Sequence, residues 1–136
     1  MGLVADFNIK NNFAEVTEEL AEKIEAWLEA VGEDAASTAA EVAPVDTGRL
    51  KNSITCATPI YQSDPNKYPG QQAEITDFFP LGKPEEGSVY IGTNVEYAEY
   101  NEMGTSKGVP ARHFIQFGMT AHQDEYKKML EEKLKE

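Results

Sequence analysis

The sequence predicts an α+β fold: a long N-terminal helix and a C-terminal helix packed on a small antiparallel β-sheet, with a long irregular loop. Three observations carry that prediction. Apolar residues recur at steps of three and four from Phe13 to Val42, the period of a helix with one buried face. Two short segments, 52–58 and 88–93, carry the β-branched and aromatic residues of half-buried strands. Between them, residues 59–87 hold five prolines, which exclude a long helix or a central strand through most of the stretch. At 136 residues and 40% hydrophobic content, residues 1–136 are read as one domain with a modest core.

The first helix is predicted over 13–43. Its apolar stripe runs through Phe13, Val16, Leu20, Ile24, Trp27, Leu28, Val31, Ala35, Ala39 and Val42, and Glu15, Glu18, Glu22, Glu25 and Glu29 occupy the opposite face. Asn12 with Glu15 three residues later has the form of a capping box, and Pro44 disfavours helix at Ala43 and supplies the stop. Gly32 costs about 1 kcal/mol against alanine, yet the stripe stays in phase beyond it, so one helix is expected, bent there at most. The second half is rich in alanine (Ala35, Ala36, Ala39, Ala40, Ala43), which allows close approach to a sheet or to a neighbouring subunit.

After the helix, Asp46 can accept from the amides of Gly48 and Arg49 in a turn that opens a short helical step. A strand follows at 52–58. The 59–87 loop contains Tyr61, Tyr68, Phe78 and Phe79 as candidate assembly contacts, and a short strand is conceivable at 72–76. The second strand, 88–93, is expected to pair antiparallel with the first. Tyr97 to Met103 reads as a short helical turn ended by Gly104 as a left-handed cap. Pro110 suits the first turn of a final helix over 111–134, whose lysines Lys127, Lys128, Lys133 and Lys135 suit the negative pole of its dipole. Those lysines could also meet the acidic first helix, in the same subunit or the next.

The net charge of −12 is uneven: residues 1–46 carry eleven acids and two lysines, residues 47–136 thirteen acids and ten bases. A chain of this balance lacks the cationic groups that displace phosphate counterions, so DNA is expected only as a passing neighbour. One cysteine, Cys56, cannot form an internal disulfide, which fits a reducing cytosol. No apolar run approaches a membrane span. The Gly104-Thr105-Ser106-Lys107-Gly108 run lacks phosphate-loop spacing. Cys56 with His113 is a weak nucleophile–base pair, since Cys56 falls on an apolar strand face. His113 and His122 lack the spacing of helical metal ligands. No cofactor and no metal are expected.

The chain has two arginines, Arg49 and Arg112. One lies in Pro44-Val45-Asp46-Thr47-Gly48-Arg49-Leu50-Lys51-Asn52-Ser53-Ile54. The other lies in a later series: Tyr90-Ile91-Gly92-Thr93-Asn94, Tyr97-Ala98, Glu102-Met103-Gly104-Thr105 and Ala111-Arg112-His113-Phe114. In an acidic protein, arginines so placed point to planar, bidentate pairing with carboxylates, and Glu102 or Asp46 is the expected partner.

In order and spacing, these pieces resemble the gene-product-ten-like tail-component family of long-tailed phages and prophages, over residues 13–58 and 88–121. His113 departs from the proline usual after the Ala-Arg pair, so the start of the last helix is expected to be built differently. The resemblance implies a virion protein of the neck that joins or completes the tail, made in the bacterial host cytoplasm and acting without catalysis. It implies self-association, six subunits in a ring once docked, and partners among head-closure and tail-tube or tail-terminator proteins. The residues it marks as structural or interface positions are Asp46, Gly48, Arg49, Tyr97, Glu102, Gly104, Thr105, Arg112 and Phe114. Two rival readings belong to other classes: an acidic DNA-mimicking inhibitor of a DNA-binding protein, and a small hydrolase built on Cys56.

Overall fold

A computed structural model describes residues 3–8, 17–44, 48–77, 84–104 and 113–135. The elements are β1 (Leu3–Asn8), α1 (Glu18–Val42), α2 (Arg49–Ser53), β2 (Thr55–Ala57), β3 (Ser88–Thr93), α3 (Ala98–Met103), α4 (Phe114–Thr120) and α5 (Gln123–Lys135). The architecture is α+β, as the sequence predicts. The sheet is antiparallel with strand order β1-β3-β2. Strand β3 is therefore central, pairing Leu3 with Thr93 through Asn8 with Ser88 on one side and Thr55 with Gly92 through Ala57 with Tyr90 on the other. The expected antiparallel pairing with 88–93 is present, but the first strand is shorter than 52–58: Asn52 and Ser53 belong to α2, and only Thr55–Ala57 pair with β3. The flanking strand β1 was not read from the sequence.

Helix α1 lies across the sheet. Ile24, Leu28, Val31, Ala35 and Ala39 are buried on it, facing Val89, Ile91 and Cys56 in one cluster. Gly32 sits where helix and sheet come closest: a Cβ there would lie 2.7 Å from Val89 Cγ2 and 3.0 Å from Cys56 Sγ. Its role is packing, and α1 runs unbroken through it.

The start of α1 differs from the expected one. The N-cap is Thr17, whose hydroxyl accepts from the Leu20 amide at 3.2 Å, so the Asn12–Glu15 capping box does not open this helix. The stop is as expected, with Ala43 turned to φ −63, ψ 142 ahead of Pro44.

The final helix begins at Phe114 and is interrupted at Ala121–His122. Two different contacts with α1 lie on either side of the break. Gly118 of α4 meets the backbone of α1, where a Cβ would lie 2.5 Å from Ala35 O and 2.9 Å from Ala39 Cβ. In α5, by contrast, the Trp27 indole donates to Tyr126 O at 2.8 Å. Close backbone approach at Gly118 and a bulky indole at Trp27 thus set two different separations from α1 on either side of the break.

Between β2 and β3 the expected strand at 72–76 is absent. A single 3₁₀ turn, Ile75–Asp77, stands at its end. Tyr61 and Tyr68 are half-buried against the core rather than exposed, and Phe78 and Phe79 lie outside the described residues.

Candidate functional site

The two sequence stretches meet at Arg49. Gly48, the residue before α2, has φ 96, and a Cβ on it would lie 2.9 Å from Pro69 O and 3.0 Å from Gly70 Cα. Glycine thus lets the loop close over the start of α2, beside Arg49. The guanidinium then grips two carboxylates. Nε and Nη2 donate to Asp77 at 3.0 and 2.9 Å, while Nη1 and Nη2 donate to Glu96, both at 2.9 Å. The planar fork of arginine is what makes both pairings bidentate.

The two acids differ in setting. The Asp77 side chain is 4% exposed and that of Glu96 is 70% exposed. Arg49 holds the Asp77 carboxyl below its ordinary value, helped by the Glu74 amide at 3.0 Å. Glu96 is lowered chiefly by the same guanidinium. The Asp77 carbonyl oxygen also accepts from the Asn94 amide at 2.7 Å, so this one residue ties the end of the loop to the segment leaving β3.

Around this knot the polar groups are closed off in the same way. Ser53 Oγ contacts Thr93 Oγ1 and donates to Leu50 O, and the Val95 amide donates to Thr93 Oγ1 at 3.0 Å. Buried Asn52 donates to Gln71 O at 3.0 Å and accepts from the Tyr68 amide at 2.8 Å. Asn66, at φ 58, exchanges bonds with Ala73 through its side-chain amide. The described part of the loop is thus pinned to α2 and β3 by hydrogen bonds, and none of its buried side-chain polar atoms is unpaired.

Glu102 does something the sequence reading did not assign to it. Its carboxylate accepts from the Ile115 amide at 2.8 Å and the Gln116 amide at 3.1 Å. It therefore caps α4 from another element, placing negative charge at the helix start. The residue in the usual cap place, His113, has φ 46 and makes no side-chain cap bond. A proline, fixed near φ −65, could not adopt that backbone, which gives the departure at position 113 a physical basis.

Arg49 takes Asp77 and Glu96 rather than Glu102 as its described carboxylate partners. Neither was named from sequence. Tyr97 packs partly buried on the core, Gly104 ends α3 at φ 77, and Phe114 is fully buried. Asp46, Thr105 and Arg112 lie outside the described residues.

Elsewhere, Cys56 is buried and its thiol is pushed up to about 11, first by burial, which opposes the thiolate a nucleophile needs. Glu33 gathers Tyr61 Oη and, at 3.2 Å, Lys67 Nζ beside it. The adjoining polar niche of about 20 Å³ has room for about one water. Asp34 accepts from Tyr126 Oη at 2.6 Å and pairs with His122 Nδ1 at 2.7 Å, which raises the imidazole above its ordinary value. Among the described residues no group of three His, Cys, Asp or Glu is placed to hold a metal ion, and no helix is long and apolar enough to cross a membrane.

This arrangement is a set of interlocked supports in which Asp77 and Glu102 are buried and Glu96 faces solvent. Neither a curated protein nor a solved structure matches the chain. The model of one family, described as "Bacteriophage HK97-gp10, putative tail-component", matches residues 7–104. That span includes Gly48, Arg49, Asp77, Glu96 and Glu102, the residues of the Arg49 knot and the α4 cap, and ends before His113. With well over half of its length matched, the chain belongs to this phage tail-component family.

Proposed function

We propose that this chain is a structural protein of the virion neck that joins head to tail or completes the tail, acting as one subunit of a ring and without catalysis. The single observation that carries this reading is the family match over residues 7–104. The geometry supports it: the Arg49 knot fixes the loop, α2 and the turn after β3 relative to the sheet, so a docking surface is preformed. A preformed surface binds without the ordering cost of a flexible one. The α1 helix carries eight acids and one lysine, which would repel a duplex and let DNA pass without sticking.

Six subunits are the expected number once docked, because tailed-phage tails have sixfold symmetry. The partners are then a head-closure protein on one side and a tail-tube or tail-terminator protein on the other. The protein is made in the bacterial host cytoplasm and ends in the particle. Particles assembled without this chain test the reading under an electron microscope. The expected field shows filled heads and separate tails, and purified chain added back should join or finish them. Intact, infectious virions formed in its absence overturn the reading.

A further inference from the structure

A groove of about 230 Å³ runs along one side of α1. Its floor is apolar (Leu28, Pro59, Ile60), and its rim is acidic, with Glu18, Glu22 and Glu86. Ile60 is 78% exposed, so its side chain is open to a partner at the edge of the groove. The volume falls below the roughly 300–1,000 Å³ of small-molecule sites and suits a few side-chain knobs. Apolar floor and anionic rim together call for an aliphatic residue flanked by cations.

The chain itself carries such a segment. Along the last turns of α5, Lys127 and Leu134 are one heptad apart, as are Lys128 and Lys135, so the four share one side of the helix, with Glu131 between them. All four are exposed, Leu134 at 47%. They lie beside the face that Tyr126 and Leu130 turn toward the core.

Within one molecule, this segment cannot reach the groove. Helix α5 rests on α1 through Trp27 and Asp34, while the groove uses Glu18, Glu22 and Glu25, about half a turn away around the same helix. Helix α1 stands between them, so an α5 stripe that fills the groove belongs to a second copy.

We propose that the acidic, apolar-floored groove of one subunit receives the Lys127–Lys135 stripe of α5 from the next, with Leu134 against Ile60. This deepens, and rests on, the ring reading above. The two surfaces are different patches of one chain, so the contact is head-to-tail and generates a ring when its rotation closes. The lysines meet the carboxylate rim and set the register, while Leu134 supplies apolar contact.

The test uses the full chain carrying Ile60→Cys and Leu134→Cys, oxidised mildly at concentrations where the wild type self-associates. Both positions are exposed, so the fold is unaffected, and buried Cys56 stays silent. The doubly substituted chain should give a covalent ladder ending at the ring size. A mixture of the two singly substituted chains should stop at the dimer. Separately, Glu22→Lys should weaken self-association at least tenfold, and adding Lys135→Glu should restore it.

If the wild type forms multimers while the double-cysteine chain yields no more cross-links than the single ones, the groove assignment fails and the ring reading survives. If Glu22→Lys leaves association unchanged, the assignment also fails. If the chain stays monomeric at every concentration and on purified tails, both fall together.

Discussion

The C-terminal half of α1 is closed by backbone-scale contacts, whereas its N-terminal half is closed on one side and open on the other. In the C-terminal half Ala35, Ala36, Ala39, Ala40 and Ala43 are all buried, and α4 approaches until Gly118 leaves no room for a Cβ. In the N-terminal half Ile24, Trp27 and Leu28 are buried by bulk, and the far side ends in exposed glutamates over a groove. Small residues give up buried area and gain a contact that tolerates one register only. Bulky residues bury more area and leave gaps at the edge. One helix is thus a locked joint at one end and an available surface at the other.

The largest effect should come from filling the locked joint. Gly118→Ala places a Cβ 2.5 Å from Ala35 O, a backbone atom that cannot swing aside. We expect a loss of about 3 kcal/mol, or roughly 10 °C in thermal midpoint. Gly32→Ala is the control on the same helix. Its Cβ meets buried Val89 and Cys56 side-chain atoms rather than a carbonyl oxygen, and alanine recovers about 1 kcal/mol of helix propensity, so the net loss should be smaller, about 1–2 kcal/mol. Equal losses measured by chemical denaturation would contradict the distinction between backbone and side-chain contact.

Next in size is the knot. Arg49→Lys keeps the charge and loses the fork that holds Asp77 and Glu96 together, and should cost about 2 kcal/mol, since Asp77 stays buried with a poorer partner. The pH dependence follows from the lowered Asp77 value. A carboxyl whose folded value lies below its unfolded one stabilises above the unfolded value and loses that contribution as pH falls through the folded one. The gap between wild type and Arg49→Lys should therefore be full at neutral pH and shrink below the ordinary carboxylate value of 3.8. A gap that persists undiminished into strong acid would show that packing, not the ion pair, is what the variant lost.

The periodic and local features were legible in the sequence. The 3.6-residue stripe gives α1, Pro44 gives its end, and the segment at 88–93 gives β3, because each is decided by neighbours in sequence. The alanine-rich half announces close packing, though not against what. The Arg49 fork was half-readable: the residue type and its place in the motif point to a bidentate pair, but Asp77 lies 28 residues away in a stretch without periodicity. Only the folded path of the loop brings it there. Glu96, two residues past the Gly-Thr-Asn step, is a signal that was present and unused. The cap that Glu102 makes was hidden for a related reason: a carboxylate capping a helix from a different element leaves no local capping pattern. Strand β1 is six residues with no clean alternation, and its identity comes from its partner β3.

The smallest predicted effect lies on the open half of α1, at Glu25. Thr58 Oγ1 donates to its carboxylate at 2.7 Å, yet burial and neighbouring Glu29 push the carboxyl up to about 7. Here the sign is opposite to that of Asp77. The folded state binds the proton more tightly than the unfolded chain, so the contribution is present below the ordinary value of 4.5 and is lost as pH rises to about 7. Glu25→Gln keeps the shape and can still bond Thr58. Because the residue is half-exposed, solvent screening reduces the effect to about 1 kcal/mol. The wild type should lose that much more stability than Glu25→Gln between pH 5 and pH 8. His122, raised by Asp34, also loses its contribution as pH rises, so the difference between the two curves is the measurement, since His122 is common to both. Parallel curves would mean that Glu25 is already ionised across the range.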